Sequence, residues 1–576
     1  MPTTDSPPAN DHATTRTQLI LTALLVALYA AVRLWHLTAT CLWFDEIFSV
    51  HAARHSWAGL WSFAAADLIH PPLFYALLKL WAAAFGDSLL WLRLFPALTA
   101  IAALVPFLLL ARELRLTLAE TNAALLLMAA NGYLVKYAQE LRMYSLLLLL
   151  TLASLWLLAK LTGSARDMRE RPPRQLGRPP DSTRRAPAKL FLALGLVNLL
   201  LVYTHYYGWL VVACEGALLL FKDRRRLPPF LLTVAALALL FAPWVAACAQ
   251  ASGEGGGLAQ NVGWIARPRA AELAEAFALF NEPFYFQQSS DQPLYARGGA
   301  LLGLLLVGLP ILALLARALR GGKNECTRPA DIEHEGERQG SVEGESERRR
   351  DAVVFLALFT LLPVVLAFAA SLVLPFSVWG TRHLIVAAGP YFMLAGVALA
   401  RLRPLWLKSG ALVLLCCWYF FVGALLLATR GEGDYIWCAW ESLARSALRD
   451  ETGTRAAART VNLYAFEDLV AYHLWFALDS AHATGVRVVV LKGVPGVAED
   501  PAYFLPRRFD GVTPARADTI NDERFWAAFR DAAWDESRPP LSLFAARGYR
   551  AERVYETAAQ GQRAFLVLFT RADEPR

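Results

Sequence analysis

The feature that most limits what this chain can fold into is a succession of long apolar runs almost free of charge. A bilayer core about 30 Å thick needs about twenty apolar residues in a helix, and lipid offers no partner to an unsatisfied backbone N–H or C=O. Each run is therefore expected to cross a membrane as an α-helix. The runs fall near residues 18–37, 89–111, 118–134, 144–160, 190–203, 208–221, 228–247, 298–317, 352–374, 383–400 and 409–429. The first is long for the apolar core of a cleaved leader, and no small-x-small site follows it, so it reads as a span. Of 576 residues, 56% are hydrophobic and only 18% charged, against about 25% charged in soluble proteins. The fold class expected is a polytopic α-helical membrane protein with about eleven spans, followed by a soluble α/β domain.

Charge then orients the runs. The net charge of +7 is dispersed in short basic clusters between spans, which is membrane patterning and does not point to nucleic acid. Arg112 and Arg115, the Arg166–Arg185 group, Lys222–Arg226, the Arg317–Arg350 group, and Arg401–Lys408 all fall on one side if the N-terminus is cytoplasmic. This requires residues 71–86, apolar but short and carrying Lys79, to lie along the outer leaflet. The linker 161–189 and the Glu- and Arg-rich loop 318–351 are expected to be cytoplasmic, the latter disordered.

The tail changes character. Residues 1–429 form the membrane module, and 430–576 regain Asp, Glu and Arg with turn signals. Val488–Leu491 and Ala564–Phe569 read as buried strands, and Glu467–Leu478 and Leu541–Arg547 as helices, the second ended by Gly548. This tail is expected outside the cytoplasm.

Polar residues near a membrane are costly, and five groups call for a reason. Asp45 and Glu46 follow the first span between aromatic residues, either as a solvated turn or as carboxylates that take a proton from an attacking hydroxyl or amine. His70-Pro71-Pro72 is a rigid turn whose imidazole can face a cavity. Lys136, Tyr137, Glu140, Arg142 and Tyr144 crowd a very short loop. Snorkelling explains Lys136 and Arg142 but not Glu140. His205, Tyr206 and Tyr207 occupy another corner, as an aromatic belt or as substrate contacts. Arg382 and His383 occupy the last corner, where Arg suits a phosphate. All five fall on the outer side, where cations for a phosphate and a carboxylate for an acceptor would meet. A divalent metal is possible on Asp45, Glu46, His51 and His55; two interfacial histidines are the alternative. The seven cysteines show neither metal-ligand spacing nor a disulfide framework.

With these residues in hand, the chain resembles the multi-pass, C-type glycosyltransferase superfamily, in its bacterial branch related to protein O-mannosyltransferases and lipid A aminoarabinose transferases. The resemblance rests on Asp45-Glu46, His70-Pro71-Pro72-Leu73, Gln139-Glu140-x-Arg142-x-Tyr144, Tyr203-Thr204-His205-Tyr206 and Arg382-His383 before Pro390, in order over roughly residues 20–400. It implies transfer of a sugar from a polyprenyl-phosphate carrier to an acceptor protein, lipid or glycan at the outer membrane face. It makes Asp45 the base, with Glu46 supporting and Glu140 a further candidate. The lipid phosphate would meet Arg and Lys of the outer loops. Family members often carry Tyr where this chain has His383. Two rival functions are a transporter or flippase for a polyprenyl-linked sugar, which would place polar residues at the midplane, and an envelope assembly protein whose tail does the work.

Overall fold

A computed structural model describes residues 9–169, 181–253, 263, 265–281, 294–324, 336–429, 436–453, 460–497, 503–559 and 561–571. Among the described residues, seven helices are long and apolar enough to cross a membrane: Thr15–Leu34, Leu89–Glu113, Tyr144–Gly163, Arg224–Gly253, Leu301–Arg320, Gly344–Val373 and Thr381–Ala400. Shorter apolar helices cover Leu73–Phe85, Leu118–Ala130, Ala188–Thr204 and Leu405–Phe421, and a further one covers Gly208–Lys222. These match the eleven expected runs, with residues 71–86 forming the short helix. The chain is a polytopic helical membrane protein with a C-terminal sheet domain.

The helices that position the site are α1 (Ala9–Leu34), α2 (Phe44–Arg54), α3 (Trp57–Asp67), α4 (Leu73–Phe85), α5 (Leu89–Ala102), α6 (Leu104–Glu113), α7 (Leu118–Ala130), α8 (Gly132–Gln139), α9 (Tyr144–Arg169), α10 (Asp181–Thr204), α11 (Gly208–Lys222) and α12 (Leu227–Gly253). After them come α13 (Ala270–Leu279), α14 (Leu294–Asn324), α15 (Gly336–Val373), α16 (Ile385–Ala400) and α17 (Leu405–Thr429). The expected disorder of 318–351 is corrected in part: α14 runs to Asn324, and α15 starts at Gly336, its polar first half continuing into the apolar run. Residues 325–335, and 170–180 of the other linker, lie outside the described residues.

Helix α16 is the axis of the bundle, buried along nearly all its length against α7, α9 and α15. The approach to α7 is so close that a Cβ on Gly396 would lie 2.5 Å from the Glu120 carbonyl. Its C-terminal end is tied by Arg401 to Glu120 (2.8 Å). Within the bundle, Asn198 donates to Glu215 (2.6 Å) and Ser154 donates to both Asn198 (2.7 Å) and Glu215, so this polar group satisfies itself.

The tail adds α18 (Ala439–Gly453), α19 (Asp468–Ser480), α20 (Leu541–Ala545) and strands β1 (Val461–Ala465), β2 (Val486–Leu491), β3 (Thr513–Ala515), β4 (Arg524–Asp531), β5 (Tyr549–Ala559) and β6 (Gln562–Arg571). They form one sheet in the order β3-β2-β1-β4-β6-β5. β1 pairs parallel with β2 and β4, while β6 runs antiparallel between β4 and β5. Both expected strands and both expected helices are present, and the glycine that stops α20, Gly548, has φ +79°. One face of the sheet buries Leu463, Trp526 and Leu566 against α18 and α19, and the other buries Phe525, Phe544 and Phe569.

The tail sits on the first loop of the membrane module. Arg54 donates to Asp479 (3.0 Å), and the Tyr472 hydroxyl lies 3.0 Å from His51 Nδ1. Cys41 and Cys438 form a disulfide across 397 positions of sequence. This corrects the expectation of no disulfide framework: pairing across such a span has no local spacing to reveal it.

Candidate active site

The junctions between helices gather at one end of the bundle. Asp45 is in the first turn of α2, Asp67 ends α3, and His70 is in the turn to α4. Arg142 lies between α8 and α9, His205 to Tyr207 between α10 and α11, and Arg382 and His383 immediately before α16. Tyr503 and Phe504 reach the same place from the tail. Together they line a cavity of about 310 Å³ with mostly apolar walls.

Two guanidiniums meet one carboxylate in it. Arg382 Nη1 lies 3.1 Å from Asp45 Oδ2, and Arg142 Nη2 lies 3.9 Å from the same oxygen. Arg142 is fixed independently of that carboxylate, since Nη1 donates to the Asp45 carbonyl (3.0 Å) and to Ser49 Oγ (3.3 Å). The Arg382 backbone is held by Tyr133, whose hydroxyl donates to the carbonyls of Thr381 (3.0 Å) and Arg382 (3.2 Å).

Beside the arginines stand His70, His205 and His383, whose nearest ring nitrogens all lie within 4.8 Å of one another. The rings of His205 and His383 are 4.5 Å apart between centroids, those of His70 and His205 5.3 Å. Such a group invites a metal, but its protons argue otherwise. Arginine can only donate, so His70 Nδ1 accepts from Arg142 (3.3 Å). His205 Nδ1 likewise accepts the Tyr207 backbone N–H (3.0 Å). Burial holds both rings neutral: it pushes His70 well below the usual range, with Arg142 and His205 adding to it, and His205 down to about 3, with Arg382 and Arg142 adding to it. A neutral ring whose Nδ1 accepts carries its proton on Nε2. The Nε2 atoms of His70 and His205, and both nitrogens of His383, are buried with no hydrogen-bond partner. A buried unmade hydrogen bond costs about 1–3 kcal/mol. The group therefore offers N–H donors beside two guanidinium cations, which fits an oxyanion and fits a metal ion poorly.

The other expected site residues are placed as follows. Tyr206 and Tyr207 line the cavity with Arg142, His70, His205, Arg382 and His383. Glu46 does not line it. It is fully buried, paired with Arg93 (2.9 Å) and accepting from the Leu141 backbone N–H (2.8 Å), so it ties the first loop to the Glu140–Arg142 turn. Lys136, Tyr137, Glu140 and Tyr144 stand behind the wall. Tyr137 packs edge-on between Tyr133 and Tyr144 (both 4.8 Å), and Lys136 lies over the Tyr137 ring. Burial pushes the Glu140 carboxyl up to about 7, with Lys136 opposing and Glu46 adding. The four suggested metal ligands do not converge: Asp45 faces the arginines, Glu46 faces Arg93, His51 meets Tyr472, and His55 Nδ1 lies 2.8 Å from the His51 carbonyl. Asp67 was not anticipated. A carboxylate three residues before His70 was the signal available for it.

No protein-family model matches the chain, and no curated protein does. Solved structures similar to it are C-type glycosyltransferases. One is the oligosaccharyltransferase AglB of Archaeoglobus fulgidus with an inhibitory peptide and a dolichol-phosphate, at 11% identity and TM-score 0.46, covering 81% of this chain. This chain spans 64% of that protein's length. Another is ArnT from Cupriavidus metallidurans bound to undecaprenyl phosphate, at 14% identity and TM-score 0.41, covering 95% of this chain and 97% of that one. A third is the Saccharomyces cerevisiae protein O-mannosyltransferase Pmt1-Pmt2 complex bound to its sugar donor, at 15% identity and TM-score 0.28, covering 44% and 37%.

Proposed function

We propose that this chain is a membrane glycosyltransferase that takes a sugar from a polyprenyl-phosphate carrier and gives it to a hydroxyl or amine acceptor at the extracytoplasmic face. The observation that carries the reading is the anion pocket: Arg142, Arg382 and the partnerless imidazole nitrogens converge on one cavity with apolar walls and a carboxylate. A lipid phosphate needs cations and N–H donors for its oxygens and apolar surface for its chain. Transfer needs in addition a carboxylate to accept a proton from the nucleophile. As the carrier phosphate leaves, charge grows on its oxygens, where Arg142 and Arg382 stabilise it most.

The extracytoplasmic placement draws support from the Cys41–Cys438 bond, four residues before Asp45, since disulfides persist in oxidising compartments. It agrees with the basic clusters at the opposite helix ends.

The test is mass spectrometry of polyprenyl-phosphate sugars and surface glycans in cells with and without the chain. The expected result is a donor lipid that accumulates, and a glycan that loses one sugar, when the chain is missing. Identical lipid and glycan profiles overturn the transferase reading. Two-way passage of the intact glycolipid across the bilayer, with no sugar transferred, would make the chain a flippase.

A further inference from the structure

We propose that the end of the bundle opposite the transfer cavity holds a second anion site, built for the headgroup of a phospholipid that carries two phosphodiesters. This site is independent of the transferase reading.

Helix α16 joins the two ends. Arg382 and His383 stand just before it and Arg401 just after it. The span Thr381–Ala400 that contains it has 20 residues, which at 1.5 Å each sets its ends about 30 Å apart. At the far end, α14, α15 and the residues after α16 enclose a cavity of about 340 Å³. Arg317 enters its wall from α14, Arg349 and Arg350 from α15, and Arg401 and Arg403 from the turn after α16. Glu347 is the acidic residue of the lining.

Two of the five guanidiniums are engaged. Arg401 pairs with Glu120 (2.8 Å) and Arg349 pairs with Glu345. Arg317, Arg350 and Arg403 form no ion pair among the described residues. Basic residues at helix ends ordinarily spread over the headgroup layer, each reaching water along its own helix. Here three elements bring theirs to one hollow. Like charges held together repel, and an anion seated among them relieves that repulsion. Setting Glu120, Glu345 and Glu347 against the five arginines leaves two positive charges. Two phosphodiesters match that charge and one does not. Guanidinium is also the cation best shaped to hold phosphate oxygens in pairs.

A lipid fits better than a free anion because apolar surface adjoins the hollow. Leu314 and Val353 line it beside the arginines. On α14 the neighbouring Leu309, Leu312 and Leu319 are exposed, and on α17 so are Leu405 and Trp406. In a bilayer such leucines meet acyl chains, and a tryptophan at a helix end sits at headgroup level. A headgroup in the cavity can thus lay its chains along α14, whereas a soluble phosphate gains nothing from that surface. Basic pockets between helix ends are a recurring means of holding such lipids.

The experiment is native mass spectrometry of the purified full chain in detergent, titrated with cardiolipin, with phosphatidylglycerol, and with cardiolipin plus inorganic pyrophosphate. One cardiolipin should bind, about tenfold more tightly than phosphatidylglycerol. The triple variant Arg317→Gln, Arg350→Gln, Arg403→Gln should weaken that binding about a hundredfold or more. It should still bind undecaprenyl phosphate, which reports that it folds. Glu347→Gln removes a carboxylate from the cavity wall and should tighten cardiolipin severalfold, a gain that misfolding cannot produce. Arg382→Ala should leave cardiolipin binding as it is. A wild type that retains no cardiolipin, a folded triple variant that keeps it, or an Arg382→Ala that loses it overturns the site. If the triple variant does not fold, unchanged or weaker binding in Glu347→Gln overturns it instead. Displacement by equimolar pyrophosphate, or equal affinity for phosphatidylglycerol, overturns the assignment to a two-phosphate lipid. The transferase reading stands or falls separately, on the lipid and glycan profiles.

Discussion

Exchange of charge at Asp45 and Arg382 should move lipid binding in opposite directions, although the two side chains form one ion pair. Arg382→Ala removes a guanidinium whose Nη1 lies 3.1 Å from Asp45 and which the proposed function assigns to a phosphate oxygen. A hydrogen bond to a charged group is worth about 1.5–3 kcal/mol, so undecaprenyl phosphate should bind about 10- to 150-fold more weakly. Asp45→Asn removes a negative charge that would otherwise face that phosphate across the cavity. At about 6 Å and an effective dielectric of about 20 the repulsion is about 3 kcal/mol; part of it is screened because both side chains are partly exposed. About 1 kcal/mol should remain, so binding should tighten about fivefold. The geometry of Arg142 should survive that substitution, because the Asp45 carbonyl, Ser49 and His70 hold it without the carboxylate. The assay is titration of purified protein with undecaprenyl phosphate at low and high salt. Weaker binding in Asp45→Asn, or the same direction of change in both variants, would refute the view that these arginines hold a phosphate that Asp45 opposes.

Gly380→Ala should disturb the anion pocket specifically, because the new Cβ would lie 2.6 Å from His383 Nδ1 and must push the ring away; lipid binding should fall with no change in thermal stability, and an unchanged affinity would show that His383 does not contact the lipid. Glu46→Gln should act on stability, since breaking its fully buried pair with Arg93 costs about 3–5 kcal/mol. A large drop in melting temperature in detergent is expected, and normal melting with lost transfer would instead put Glu46 in the chemistry. Cys41→Ser should free Cys438 for a membrane-impermeant maleimide added to intact cells and should speed proteolysis of the tail; labelling only after the cells are opened would reverse the orientation.

The membrane module was legible because its signal is the oldest in the physics: runs free of charge, punctuated by basic clusters, map directly onto helices and their ends. The motif residues were legible for a related reason. Arg142, His70 and Arg382 stand at helix junctions where lipid-facing polarity has no structural excuse. What the sequence could not say is which way each polar residue points. Asp45 and Glu46 are neighbours, and a helix turns about 100° between them, so one reaches the cavity and the other reaches Arg93. The clue to that division was Arg93 itself, a lone cation in an apolar run that had to find a buried partner. Asp67 was hidden differently, for it joins the cavity wall at a left-handed turn at Leu68 that no residue type announces. The tail was hidden most. Two of its helices and two of its strands could be read, but not the helix Ala439–Gly453, and its contribution to the site comes from Tyr503 and Phe504 on an irregular segment, and from a cystine that joins positions 397 residues apart. Because Cys41 lies four residues before Asp45, the same bond that docks the tail also fixes the approach to the carboxylate. Tyr503 and Phe504 of the tail line the same cavity as Asp45, so the contacts that dock the tail also complete the cavity wall.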